Sequence, residues 1–171
     1  MKVYHQLSEI PPFQKTILTV GSFDGVHTGH KQLLQHLLQL AEKRNLIPVL
    51  ISFDRHPKQI LPNAPQIQLL TTLEEKIERL NILGISNLVI IPFTDSFAQL
   101  EAEKYISDFL VEKFHPKAIM LGHDHHFGKD RKGNMELLMS LAEQYEYEVI
   151  PIDAFLSCLL YTSPSPRDQR G

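Results

Sequence analysis

The stretch TVGSFDGVHTGHKQLL, Thr19 to Leu34, decides how this chain is read. It begins inside a β-rich apolar run, TILTV at residues 16–20, and ends inside a leucine-rich one. Between the two lie Gly21, Gly25 and Gly29 and the histidines His27 and His30. A strand that hands over to a helix through such a segment brings unpaired helix N–H groups to the strand's carboxyl end, where they and the helix dipole favour an anion, phosphate above all. The glycines allow the backbone to approach a ligand closely. Two imidazoles beside the helix start can donate hydrogen bonds to phosphoryl oxygens, and such donors help most when charge builds on phosphorus in a transition state. The same residues also fit a glycine-rich turn with two solvated histidines, and a metal site would need further ligands.

Outward from this stretch, helix and strand signals alternate. The leucines at 33, 34, 37, 38 and 40, with Ala41, have helical spacing and put Leu33, Leu37 and Leu40 on one stripe. IPVLISF at 47–53 reads as a second strand, followed by a proline-punctuated loop from Arg55 to Gln68. Thr71 or Thr72 can cap a helix that carries Glu74 and Glu75 in its first turn and Gly84 just past its end. NLVIIPF at 87–93 predicts a third strand, residues 102–114 a helix, AIML at 118–121 a fourth strand, 135–145 a helix and 148–152 a fifth strand. This alternation predicts an α/β protein with a doubly wound, five-stranded parallel sheet, in which ligands bind beyond the carboxyl ends of the strands. GSFDGVHTGH, DRHP and GHDHHFG follow strands one, two and four, so three His-bearing loops are expected at one sheet edge.

Composition narrows the classes. The chain has 171 residues, 43% of them hydrophobic, which suits one domain with a sizeable core. A net charge of −3 gives no support for a general nucleic-acid or membrane surface, so phosphate binding would be local. The lone cysteine, Cys158, permits no internal disulfide. No apolar run approaches the roughly 18 residues of a membrane span and no signal-peptide core is present, so a cytoplasmic location is expected.

GSFDGVHTGH resembles the HxGH signature of the nucleotidylyltransferase superfamily, with its Rossmann-like fold. In its longer GxFDGxHxGH form it resembles the FAD synthetase (FMN adenylyltransferase) module of the bacterial bifunctional riboflavin kinase/FAD synthetase family. Further segments carry the resemblance in the family's order: SFDRHP (52–57) is similar to TFDPHP, and LGHDHHFGKDRKGN (121–134) to GxDFxFGxxRxGD. LLTTLEEKIERLNILGI (69–85) and AEKYISDFL (102–110) resemble two more family segments. The resemblance spans roughly residues 15–152.

It implies adenylyl transfer from ATP to FMN, with Mg²⁺, giving FAD and pyrophosphate. By resemblance, Gly21, Ser22, Phe23, Asp24, Gly25, His27, Gly29 and His30 form the ATP loop, with His27 and His30 as the catalytic pair on the phosphates. Asp24 fits a turn former equally well. The resemblance assigns Phe53, His56, Pro57, Tyr105, Asp124 and Phe127 to FMN, with Phe127 stacking on the isoalloxazine. Phe53 and Tyr105 also fit plain core packing. No dedicated metal site is implied: His125 and His126, adjacent on extended chain, would point to opposite faces. Arg55, where the family has proline, and the basic cluster Lys129, Arg131 and Lys132 fit either solvent or phosphate.

The resemblance ends near residue 154. Residues 155–171, FLSCLLYTSPSPRDQRG, read as an irregular tail resembling translated adapter sequence, non-native rather than part of the 1–154 domain. The family's S-S-T-x-I-R segment, whose Ser/Thr and Arg groups bind ATP phosphates, does not occur in the chain, and neither does the riboflavin kinase domain expected of the full-length natural protein. Two other readings stay open. One is an HxGH adenylyltransferase acting on phosphopantetheine or a nicotinate nucleotide, which SFDRHP and GHDHHFG argue against. The other is a flavin- or nucleotide-binding module without turnover.

Overall fold

The computed structural model describes residues 1–23, 28–54, 72–122 and 125–152. Six strands form one parallel sheet in the order β1-β4-β3-β2-β5-β6. They are β1 (Lys2–Tyr4), β2 (Thr16–Val20), β3 (Ile47–Phe53), β4 (Asn87–Ile91), β5 (Pro116–Leu121) and β6 (Glu148–Pro151). The chain steps outward from β2 to β3 and β4, then returns to place β5 on the other side of β2. That reversal is the switch point of a doubly wound sheet, where the loops after neighbouring strands diverge and leave a crevice.

The five expected strands are all present, and the expected strand number is corrected from five to six. The addition is β1, which pairs with β4 in the register Lys2↔Asn87 to Tyr4↔Val89. Its three residues, none fully buried, are too few to make a pattern in the sequence. Every residue of β2 is buried, as a central strand covered on both faces requires. The hydroxyl of Thr16 within it donates to the Phe114 carbonyl at 2.9 Å.

Alternate strand residues face two cores. Ile17, Leu50, Leu88, Ile90 and Met120 pack under α1 (Thr28–Arg44) and α2 (Leu73–Ile82). Leu18, Val20, Val49, Ile51 and Ile119 pack under the 102–114 helix and α6 (Met135–Ser140). On α1 the buried stripe is Leu33, Leu34, Leu37 and Ala41, with Leu40 only partly covered, so the stripe sits a little around the helix from the expected 33/37/40 line. Burying a leucine fully, as at 34 and 37, is worth about 1.5–3 kcal/mol.

Local chemistry sets the helix ends. Thr72 caps α2 through a complete capping box, its Oγ1 accepting from the Glu75 amide at 3.1 Å while the Glu75 carboxylate accepts from the Thr72 amide at 3.2 Å. Gly84, at φ 94°, takes the left-handed conformation after the helix. The 102–114 helix is not uniform. It runs as α4 (Ala102–Lys104), a π-helical stretch Tyr105–Val111 and α5 (Glu112–Phe114). The wider turn presents Tyr105, Ile106, Phe109 and Leu110 to the core together. The expected 135–145 helix breaks at Leu141 (φ −100°, ψ 0°) into α6 and α7 (Ala142–Tyr145), and a short α3 (Asp95–Ala98) capped by Thr94 follows β4.

Candidate active site

Because β3, β2 and β5 are neighbours and parallel, the three His-bearing loops leave one edge of the sheet from adjacent strands, as expected. Asp24, Gly25 and His27 of the first loop, Arg55, His56 and Pro57 of the second, Asp124 of the third and the 155–171 tail lie outside the described residues.

In the first loop, Gly21 extends β2 by donating its amide to the Ile51 carbonyl at 3.0 Å. A Cβ at Gly21 would stand 3.0 Å from the Phe23 ring, so a side chain there would press on that ring. Phe23 adopts φ 51° and is buried in the core beneath α1, its ring centroid 5.2 Å from that of His30. Helix α1 begins at Thr28, two residues before His30, so Gly29 and His30 both belong to its first turn. The first-turn N–H groups, which have no partner within the helix, and the His30 imidazole therefore share the carboxyl end of the central strand. Phe23 is thus a packing residue that sets His30 against the helix start rather than a group presented to solvent.

The second loop leaves through Ser52, Phe53 and Asp54. Phe53 is buried, meeting Phe93 edge-on at 5.3 Å and Phe97 at 6.2 Å. Asp54 accepts from the Phe93 amide at 3.0 Å, which ties the ends of β3 and β4.

A group the sequence reading passed over joins the first two loops. Lys76, on α2, is 7% exposed. Its Nζ donates to the Ser22 carbonyl at 2.7 Å, the Ser52 hydroxyl at 3.2 Å and the Phe53 carbonyl at 3.4 Å. Ser52 Oγ also donates to the Ser22 carbonyl at 3.0 Å. The signal was available: Lys76 stands three residues after Leu73 and four before Leu80, on the helix stripe that faces the core.

In the third loop, Phe127 pairs with Gly133 across an antiparallel bridge, with N–H···O distances of 3.1 and 2.8 Å. A Cβ at Gly133 would fall 2.3 Å from the Phe127 ring. On the other side Phe127 stacks on Tyr105, centroids 4.7 Å apart and planes 24° from parallel. Both rings are buried, and together with Phe97 and Phe109 they make an aromatic cluster under the sheet edge. The Tyr105 hydroxyl has no hydrogen-bond partner among the described residues, and burial pushes its pKa up. Phe127 and Tyr105 are therefore engaged with each other. His125, beside them, holds its amide on the Gly122 carbonyl at 3.2 Å. Burial, then His126 and Arg131, pushes its imidazole down to about 4, so it is neutral near pH 7. His126 is exposed. Among the described residues no three His, Cys, Asp or Glu side chains gather as a metal site would require.

The fold defines a Rossmann-like α/β protein with the start of α1 at the switch point of its sheet. The profile of the FAD synthetase family matches residues 10–158, and the chain belongs to that family. It is 38% identical over 152 residues to a bifunctional riboflavin kinase/FMN adenylyltransferase of Buchnera aphidicola subsp. Schizaphis graminum, covering 89% of this chain and 48% of that protein. The Escherichia coli K12 protein of the same description is 34% identical over 88% of this chain and 48% of its own length. The chain thus spans about half the length of the curated relatives it matches. A solved structure described as a macrolide-efflux protein from Streptococcus pneumoniae superposes with a TM-score of 0.71 at 24% identity, over 88% of this chain and 50% of that one; the likeness carries the fold alone. No helix among the described residues is long and apolar enough to cross a membrane.

Proposed function

We propose that the chain binds ATP, as its Mg²⁺ complex, and FMN at the β2–β3–β5 edge and joins them to FAD and pyrophosphate. Membership of the FAD synthetase family carries this reading. The arrangement at the start of α1 supports it. In the reaction a phosphate oxygen of FMN attacks the α-phosphorus of ATP, and the bond from that phosphorus to the bridging oxygen of pyrophosphate breaks. No covalent enzyme intermediate is needed, so the protein's task is to align the two phosphates and meet the charge that develops. His30 and the first-turn amides of α1 are the donors assigned to the phosphoryl oxygens, with His27 completing the pair. His56, Pro57 and Asp124 are assigned to FMN, and Phe53, Tyr105 and Phe127 to the packed wall behind it.

Incubation with ATP, Mg²⁺ and FMN, followed by chromatography for FAD, tests this reading. FMN is expected to accept the adenylyl group where phosphopantetheine and nicotinate mononucleotide do not; adenylylation of either of those instead would overturn it. A second reading, binding without fast turnover, is favoured by one observation: the chain has no Ser-Ser-Thr-x-Ile-Arg segment. Removing an arginine that meets transition-state charge can cost 10³-fold or more in rate. Binding of both nucleotides with FAD formation far slower than that of the Escherichia coli relative is the result this second reading expects.

A further inference from the structure

The described hydrogen bonds of Lys76 all go to protein atoms. Its ammonium group sits inside the protein, on three acceptors that come from two strands: the Ser22 carbonyl just past β2, and the Ser52 hydroxyl and Phe53 carbonyl at the end of β3. Ser52 repeats the link by donating to Ser22. These are the residues from which the first and second loops depart. Hydrogen bonds to a charged donor are stronger than neutral ones, and they hold geometry better where water is excluded. Holding a buried lysine is costly unless its charge is met, so an apolar residue at this inward helix position would serve stability at least as well. What an apolar residue cannot do is hold the two loop bases at a fixed separation.

We propose that Lys76 is a positioning residue that sets the nucleotide loop against the flavin loop, so that the phosphate of one substrate stands in line with the α-phosphorus of the other; this rests on the reading of the chain as an FMN adenylyltransferase. An in-line displacement is sensitive to this separation, since an error of about 1 Å costs on the order of 100-fold in rate. ATP is assigned to the first loop and FMN to the second and third, so neither alone spans the link between the first and second loops, whereas the pair does. Loss of the Lys76 link therefore lowers the rate without lowering single-substrate affinity.

The test uses the full chain with Lys76→Met, which keeps the aliphatic stem, and Lys76→Arg, which keeps the charge. Three quantities are read: FMN affinity by quenching of flavin fluorescence, affinity for α,β-methylene-ATP by calorimetry, and FAD formation in a single turnover at saturating ATP and FMN. For K76M the expected result is a folded protein that binds each ligand within threefold of the parent and forms FAD at least tenfold more slowly. K76R is expected to recover part of the rate. A K76M rate within twofold of the parent, or a rate loss matched by equal losses in both single-ligand affinities, overturns the proposal. If the parent chain forms no FAD, the functional reading fails for this polypeptide and Lys76 is judged separately. FMN affinity is then compared with and without α,β-methylene-ATP, and coupling between the two ligands that is the same in parent and K76M overturns the positioning role. If K76M does not fold, Ser52→Ala removes the parallel link, and a rate loss of less than twofold in that variant overturns the proposal.

Discussion

Tyr105 and Phe127 stack on each other at 4.7 Å across 22 residues of chain, joining the π-helical stretch to the loop after β5. The contact closes the base of the third loop with aromatic surface. It also leaves one polar atom, the Tyr105 hydroxyl, buried without a partner among the described residues. A buried unsatisfied hydroxyl costs about 1–3 kcal/mol. Tyr105→Phe is therefore expected to leave urea stability unchanged or raise it by about 1 kcal/mol, with FMN affinity unaltered. Phe127→Ala, which empties the space between Tyr105 and Gly133, is expected to cost about 3–5 kcal/mol. A fall in FMN affinity in Tyr105→Phe, with stability intact, would return Tyr105 to the flavin site.

Gly128 holds the same loop against the 102–114 helix. Its φ is 78°, and a Cβ there would lie 2.7 Å from the Ala102 Cα, a backbone atom that cannot swing aside. The neighbouring Lys129 amide donates to the Leu100 carbonyl at 2.7 Å, so the loop cannot retreat without losing that bond. Gly128→Ala is expected to destabilise the protein by about 3 kcal/mol in urea unfolding, the sum of left-handed strain and the clash.

His30 stands in the first turn of α1 against the Phe23 ring. His30→Asn keeps a donor but shortens its reach. His30→Ala removes the donor, and FAD formation is expected to fall about 10²–10³-fold. Phe23→Leu, which keeps an apolar core residue but loosens the support of the imidazole, is expected to lower the rate less, about tenfold, with a melting temperature near that of the parent. Equal rate losses in all three variants would show that the ring matters only as packing.

The lowered pKa of His125 has a stability consequence. In the folded protein the imidazole stays neutral down to about 4, because burial, His126 and Arg131 all oppose its charge. In the unfolded chain it takes up its proton around the ordinary histidine value of 6.5. Between those values the unfolded state binds more protons, so this group's contribution is fully present above about 6.5 and is lost as pH falls toward 4. Its partial exposure limits the effect to about 2 kcal/mol. His125→Asn is expected to flatten the decline of urea stability between pH 6.5 and 4 by that amount relative to the parent; identical pH profiles would show that the imidazole is solvated.

By itself the sequence determined the alternation of strands and helices, because continuous apolar runs and helical leucine spacing are local signals that the parallel sheet then uses directly. It also narrowed the cap of α2 to Thr71 or Thr72, of which the structure uses Thr72, and marked a glycine-rich segment between β2 and α1, since caps and glycine turns depend on residues within one turn of each other. Tertiary structure decided the rest. Strand β1 exists because β4 offers it a free edge, and three residues carry no pattern of their own. The π-helical stretch and the break at Leu141 lie where the chain packs on a core assembled from distant segments. The resemblance assigned Phe127 and Tyr105 to FMN; that the two rings stack on each other depends on a pairing 22 residues apart and is visible only in the tertiary structure. Lys76 read as one charge among many in LEEKIERL, and only the meeting of β2, β3 and α2 gave its ammonium group three acceptors inside the protein. In each case the deciding partner lies far along the chain, where no local pattern can point to it.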